Sequence, residues 1–146
     1  MRRTLEIRIA IAETTADIGR CYEAMRELRP HLKSEEEFIA RVQQQQAEGY
    51  RVAYVEESDE IRAVTGYRFM ENLFAGRILY VDDLVTREVV RSEGYGEKLF
   101  NWLVAEARAG NCTSLELDSN VQRFGAHRFY LRKRMDIEAH HFRLRL

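Results

Sequence analysis

An acidic pair interrupts an apolar run, Leu79-Tyr80-Val81-Asp82-Asp83-Leu84-Val85-Thr86. Carboxylates are seldom buried without a task or a partner, so a strand of this composition either works chemically or ends at a wet edge. The next chemically suggestive stretch is Arg91-Ser92-Glu93-Gly94-Tyr95-Gly96-Glu97-Lys98, after which Leu99, Phe100, Leu103, Val104 and Ala107 recur at helical spacing. A strand, a glycine-containing turn and a helix start together make an anion site. The first N–H groups of a helix have no intrahelical acceptor, and glycine lets a phosphate come close. Two familiar nucleotide motifs are excluded. The dinucleotide fingerprint needs a third glycine where Leu99 stands, and the P-loop needs Gly-Lys-Ser/Thr where the chain reads Gly96-Glu97-Lys98-Leu99.

Strand geometry sends neighbouring side chains to opposite faces. Leu79, Val81, Asp83 and Val85 are therefore expected on one face and Tyr80, Asp82, Leu84 and Thr86 on the other, so that one acid alone faces a substrate. Metal chemistry is not indicated. His140 and His141 are adjacent and cannot chelate one ion from one face of a strand, and His127 reads as a packing or surface residue. Cys21 and Cys112 have neither metal nor redox spacing and read as thiols in a reducing, cytoplasmic compartment.

The elements that must position these groups follow from periodicity. Leu5, Ile7, Ile9 and Ile11 alternate as a strand. One helix is expected next, capped at Thr15, with Ile18, Cys21, Tyr22, Met25 and Leu28 on one side, ending before Pro30. Ser34 and Glu37 form a capping box for another helix, which stops at Gly49. Val52–Val55 and Ile61–Met70 are strands joined by the turn at Glu57–Glu60, and Gly66 marks a bulge. Arg77–Thr86 is the acidic strand, and the long helix after it ends at Gly110-Asn111. A strand at Leu115 and Leu117, a helix from Arg123 to Lys133 and a final strand from Asp136 to Leu146 complete the chain. The helix between Thr86 and Leu115 makes the flanking strands parallel neighbours, while the middle strands are antiparallel. The class is α/β of the α+β type: one domain spanning 1–146, with a mixed, mostly antiparallel sheet and helices on both faces.

With 146 residues the chain can bury a substantial core. Its 23 Lys plus Arg against 24 Asp plus Glu give no overall footprint for nucleic acid. Basic side chains do collect between Arg123 and Arg145. No apolar run is long enough for a membrane-spanning helix.

Arg91-x-x-Gly94-x-Gly96 after a strand, with Glu106 and Arg108 closing the long helix, resembles the acetyl-CoA motif of the GNAT family of N-acetyltransferases. A second block, Ala126-His127-Arg128-Phe129-Tyr130, resembles the family's late helix with its tyrosine. The resemblance is good over residues 50–146 and loose before them. It implies the acyl-CoA N-acyltransferase fold, with acetyl-CoA in a gap between the strands ending near Thr86 and Leu117. It implies that the pyrophosphate lies on Arg91, Ser92, Glu93, Gly94, Tyr95, Gly96, Glu97 and Lys98, mostly through backbone N–H groups, with Glu93 and Glu97 turned outward. The backbone of Leu84 and Val85 would pair with the pantetheine arm, and Asn120 would assist the cofactor amide. Tyr130 matches the residue that donates to the leaving sulfur, and the acid before the leucine selects Asp83 on the acceptor side. Tyr80, Glu71 and His31 remain candidates for the acceptor pocket.

The implied activity is acetyl transfer from acetyl-CoA to a primary amine of a small molecule or peptide, by direct attack. The alternative is a non-catalytic acyl-CoA-binding or partner module. A homodimer follows by analogy, and the alternation of Arg143-Leu144-Arg145-Leu146 offers an edge that could pair or be blocked. The chain departs from the family after the tyrosine. Leu131-Arg132-Lys133-Arg134-Met135 lacks the usual glycine, so either Arg134 takes the left-handed position that ends the helix or the helix exits differently. Val90 stands where an aromatic is common.

Overall fold

The structure, a computed structural model, describes residues 6–146. Leu5, expected in the first strand, lies outside the described residues. The chain divides into two compact units, Met1–Glu116 and Leu117–Leu146.

The first unit opens with β1 (Arg8–Ile11), α1 (Thr15–Arg20), α2 (Tyr22–Leu28) and α3 (Glu35–Gln46). It continues through β2 (Arg51–Glu57), β3 (Glu60–Asn72), β4 (Gly76–Thr86), a 3-10 turn (Glu88–Val90) and α4 (Tyr95–Ala109) to β5 (Ser114–Leu117), which ends at the unit boundary. The sheet order is β1-β2-β3-β4-β5, and the first four strands are antiparallel. One face is covered by α1–α3, where Ile18, Met25, Phe38 and Val42 pack with Tyr54, Val64 and Val85. On the other face Tyr95 and Leu99 of α4 pack with Val55, Ala63, Val90 and Leu84. Leu84 and Val85 thus serve opposite cores, as strand alternation requires. Val90 is an ordinary core residue on the α4 side.

Local chemistry explains the turns. Ser58 and Asp59 both have positive φ, 53° and 61°, in the two-residue turn between β2 and β3; left-handed central residues match the twist of the flanking strands. Arg29 leaves α2 at φ −121°, ψ 69°, outside the α region that the following Pro30 disfavours. The single helix expected before Pro30 is two, because Cys21 N–H bonds back to the Ile18 carbonyl and tightens the turn there. Thr14 rather than Thr15 is the cap, accepting from Asp17 N–H at 3.1 Å. At α3, Ser34 Oγ accepts from Glu37 N–H, while Glu37 Oε2 accepts from Lys33 N–H rather than from Ser34.

The second unit contains α5 (Phe124–Arg132). Arg134 adopts φ +66°, and Met135 N–H reaches the Tyr130 carbonyl at 3.1 Å, so the left-handed exit forms on an arginine. The expected last strand is absent: residues 136–146 form no ladder, and Ile137, Phe142 and Leu144 are exposed. Alternation supplies a side-chain pattern, but a strand exists only through a hydrogen-bonded partner. The edge argued for dimer pairing falls with it.

Candidate active site

The end of β4 is shaped by a bulge. Gly66 pairs with Asp83 and Tyr67 with Val81, which leaves Asp82 as the extra residue on β4. The two acids therefore do not take opposite faces, as strict alternation had suggested; both reach partners on the α1–α3 side. Asp83 Oδ1 accepts from Arg29 Nε at 2.8 Å, and its Oδ2 accepts from the Tyr50 hydroxyl at 2.6 Å. Asp82 takes a two-point bond from Arg68, at 3.0 and 2.8 Å, and Arg68 lies over the Tyr50 ring. Burial pushes the Asp82 carboxyl above its ordinary range, against the pull of Arg68. Burial and the neighbouring Asp83 carboxylate push the Tyr50 phenol well up, so it stays a donor. Gly66 is required beneath this cluster, since a Cβ there would collide with the Tyr50 hydroxyl and the Asp83 carboxylate. Thr65 Oγ1 donates to the Asp83 carbonyl and fixes the backbone of the bulge.

Beyond Asp83, Leu84 and Val85 pair with Thr65 and Val64 of β3. On the other edge β5 has four residues against eleven in β4, and Thr113 N–H bonds to Arg77 O beside its start. At roughly 3.3 Å per residue β5 ends well short of Thr86. The Leu84–Val85 backbone extends past it.

The turn lies against this strand end. Arg91 Nε donates to Thr86 O at 3.4 Å, and a Cβ on Gly96 would lie 2.8 Å from Thr86 Oγ1. Gly94 caps α4 at φ +90° with nothing within 4 Å of a notional Cβ. The Tyr95 hydroxyl is tied to Glu57, so this residue anchors the helix start instead of facing a ligand. Ser92, with φ 69°, completes the bend, and Glu93, Glu97 and Lys98 are exposed. The result is an open cradle at a helix N-terminus, which fits a diphosphate. From the other side, Glu27 near the end of α2 accepts from Arg87 Nε at 3.0 Å and from Glu88 N–H at 2.8 Å, joining that helix to the approach to the turn.

Asn120 and Tyr130 belong to the second unit. Asn120 Oδ1 accepts from Gln122 N–H, and its carbonyl lies 2.8 Å from His127 Nε2. His127 also stacks edge-on with Phe124, so it is structural. Tyr130 is half-buried on α5 against Phe129, and burial raises its pKa while Arg123 pulls it down. Among the described residues no His, Cys, Asp or Glu cluster could hold a metal, and no helix is long and apolar enough to cross a membrane.

The profile of the acetyltransferase (GNAT) family matches residues 18–135. An uncharacterized N-acetyltransferase of Bacillus subtilis, YhdJ, is 36% identical over 124 residues, covering 84% of this chain and 87% of that protein. The chain belongs to the acetyltransferase (GNAT) family. It is an acetyl-CoA-dependent N-acetyltransferase. Its fold recurs in the aminoglycoside N-acetyltransferase AAC(6')-Iy crystallised with CoA, at TM-score 0.85 and 9% identity, with 100% of this chain and 98% of that one covered. It recurs too in a ribosomal-protein-alanine N-acetyltransferase of Brucella melitensis, at TM-score 0.80 and 14% identity, covering 96% and 99%.

For this GNAT protein the glycine turn that opens α4 was legible in the sequence, while the partners of the acids were not. Arg29 read as part of the linker after a helix, Tyr50 fell between the helix ending at Gly49 and the strand from Val52, and Arg68 read as a strand residue. The available signal was the acid pair itself: two carboxylates in a half-buried strand require cationic or hydroxyl partners.

Proposed function

We propose that the protein acetylates a primary amine of a small molecule or peptide by direct attack, without an acyl-enzyme, as a single N-acetyltransferase domain spanning 1–146. The observation that carries this reading is the glycine cradle at the start of α4, set against the end of β4. Acetyl-CoA supplies the activated thioester. The turn from Arg91 to Lys98 holds its phosphates, chiefly by backbone N–H groups, with Arg91 and Lys98 as countercharges. The backbone of Leu84 and Val85 orients the pantetheine arm and polarises the carbonyl, and Asn120 bonds an amide of the same arm through its side-chain NH2. Tyr130, kept protonated by burial, gives its proton to the departing sulfur. Asp83 faces the acceptor amine, held in place by Tyr50. Positioning the amine against the thioester supplies much of the acceleration.

The acceptor region lies between α2 and the bulge of β4. A cleft of about 460 Å3 beside it is lined by Tyr22, Arg26, Glu27, Pro30, Leu32 and Lys33. The neighbours with this fold act on amines of both kinds, an aminoglycoside and a protein alanine, so the fold alone does not choose. The composition suits a protein of the cytoplasm with no role on nucleic acid or membrane, and a homodimer is expected by family analogy.

Calorimetric titration of acetyl-CoA tests the reading, with Gly96→Glu made in a Thr86→Ala background to relieve the contact with Thr86 Oγ1. Binding to Thr86→Ala that is lost in the double variant, with unchanged circular dichroism, is expected. Equal binding by both removes the phosphates from this turn.

A further inference from the structure

We propose that Arg29 occupies the place of the acceptor's ammonium group, so that the acceptor is a cationic primary amine that binds by displacing it. This rests on the reading of Asp83 as the acceptor-facing acid. The two oxygens of Asp83 are held unequally. Oδ2 is fixed by the hydroxyl of Tyr50, a residue only 5% exposed. Oδ1 takes a single bond from Arg29, whose side chain is 41% exposed where that of Asp83 is 12%. The carboxylate is inside, and its cationic partner reaches in from the surface. Asp82 is different: its two-point bond comes from Arg68, at 19% side-chain exposure, and leaves no position for a ligand.

Arg29 also reaches the cluster from the surface. It lies past the last turn of α2, immediately before Pro30, and beside the cleft. A one-point ion pair with a partly exposed arginine contributes little stability. A buried carboxylate stripped of countercharge is costly, so whatever replaces Arg29 must itself be a cation. Arg29 makes two bonds there, Nε to Asp83 Oδ1 at 2.8 Å and Nη2 to Asp82 O at 3.0 Å. An ammonium group, with three donors, can replace both. Neutral amides and alcohols cannot. The ammonium then sheds a proton to solvent at the open side, and the neutral nitrogen forms the N–C bond as the C–S bond breaks. Overall, ammonium and thioester give amide, thiol and one proton.

The test is NMR of the arginine Nε–H groups in the full chain, with the Arg29 signal assigned by its loss in Arg29→Gln. The probes are n-butylammonium, spermidine and, as a neutral control of similar size, n-butanol. The two cations are expected to shift and saturate the Arg29 signal, and the alcohol to leave it alone. In Arg29→Gln, n-butylammonium affinity, read from the Asp83 carboxylate carbon, should rise roughly tenfold if Arg29 holds the site about nine-tenths of the time. No displacement by either cation, or weaker binding in Arg29→Gln, overturns the proposal and leaves Arg29 as a residue that positions Asp83. Thiol release from acetyl-CoA with the same two amines is followed in parallel. Displacement without thiol release would sink the amine-acetylating reading and leave the cation site standing.

Discussion

Replacing Tyr50 by phenylalanine removes one oxygen and nothing else from the acid cluster. That hydroxyl sits 2.6 Å from Asp83 Oδ2 in a residue 5% exposed. A hydrogen bond to a charged group contributes about 1.5–3 kcal/mol, and Oδ2 would be left facing a ring edge, so a loss of about 2 kcal/mol is expected. With a urea m-value of about 1.5 kcal/mol/M, the unfolding midpoint falls by about 1.3 M with m unchanged. Tyr67→Phe is the matched control. The Tyr67 hydroxyl is equally buried and has no hydrogen-bond partner among the described residues, Arg51 lying near it but outside bonding geometry. Deleting an unsatisfied hydroxyl should be neutral or mildly stabilising, within about 0.5 kcal/mol. The measurement belongs at neutral pH. Tyr50 holds its proton more tightly folded than unfolded, so its share of the stability is complete below the ordinary tyrosine pKa of about 10 and is lost as pH rises beyond it. Equal midpoint shifts for the two variants would refute the claim that Tyr50 anchors Asp83.

Tyr130→Phe should lower kcat by about a hundredfold, the usual scale for losing a general acid. Steady-state kinetics should show KM for acetyl-CoA nearly unchanged; an unaltered kcat would remove Tyr130 from the chemistry. Arg134→Gly relieves a left-handed residue at φ +66° and should stabilise by about 0.5 kcal/mol, after glycine's own entropy is set against the relief. Thermal denaturation reads this as a small rise in Tm. Burial pushes the Cys21 thiol up to about 12, whereas Cys112 is half-buried, so a thiol reagent at pH 8 should label one site quickly and the second only on unfolding. The folded pKa of Cys21 is raised, so its contribution to stability is complete below pH 9 and declines as pH climbs toward 12.

Much of the fold followed from local rules. Pro30 ended a helix, Ser34 capped one, and the Ser58-Asp59 pair turned a hairpin, since each acts through its own backbone and immediate neighbours. At the exit of α5 the sequence left two routes open, and the structure takes the one in which Arg134 adopts the positive φ. Two failures have a different origin. The break at Cys21 comes from the tightened turn there, in which Cys21 N–H bonds to the Ile18 carbonyl, and no residue type in the sequence marks it. The last strand was argued from alternation, and alternation does not report whether a partner is available.

The acid pair shows why a site is harder to read than a fold. Alternation is a rule about a regular ladder, and it separates Asp82 from Asp83 only while the ladder stays regular. Gly66 was recognisable as a bulge signal, but a glycine does not say which strand takes the extra residue. Here β4 takes it, opposite Gly66, because the absent Cβ leaves the space that the Tyr50 hydroxyl and the Asp83 carboxylate fill. The same irregularity that admits a second acid to the α1–α3 side sets the strand end at Leu84 and Val85, whose side chains serve opposite cores. One missing side chain on β3 therefore links the acid cluster to the end of β4. A larger residue at 66 would have to displace Tyr50 and Asp83 together, and it should disturb the acid cluster before it disturbs the glycine turn at the start of α4, which is anchored separately by Tyr95 on Glu57.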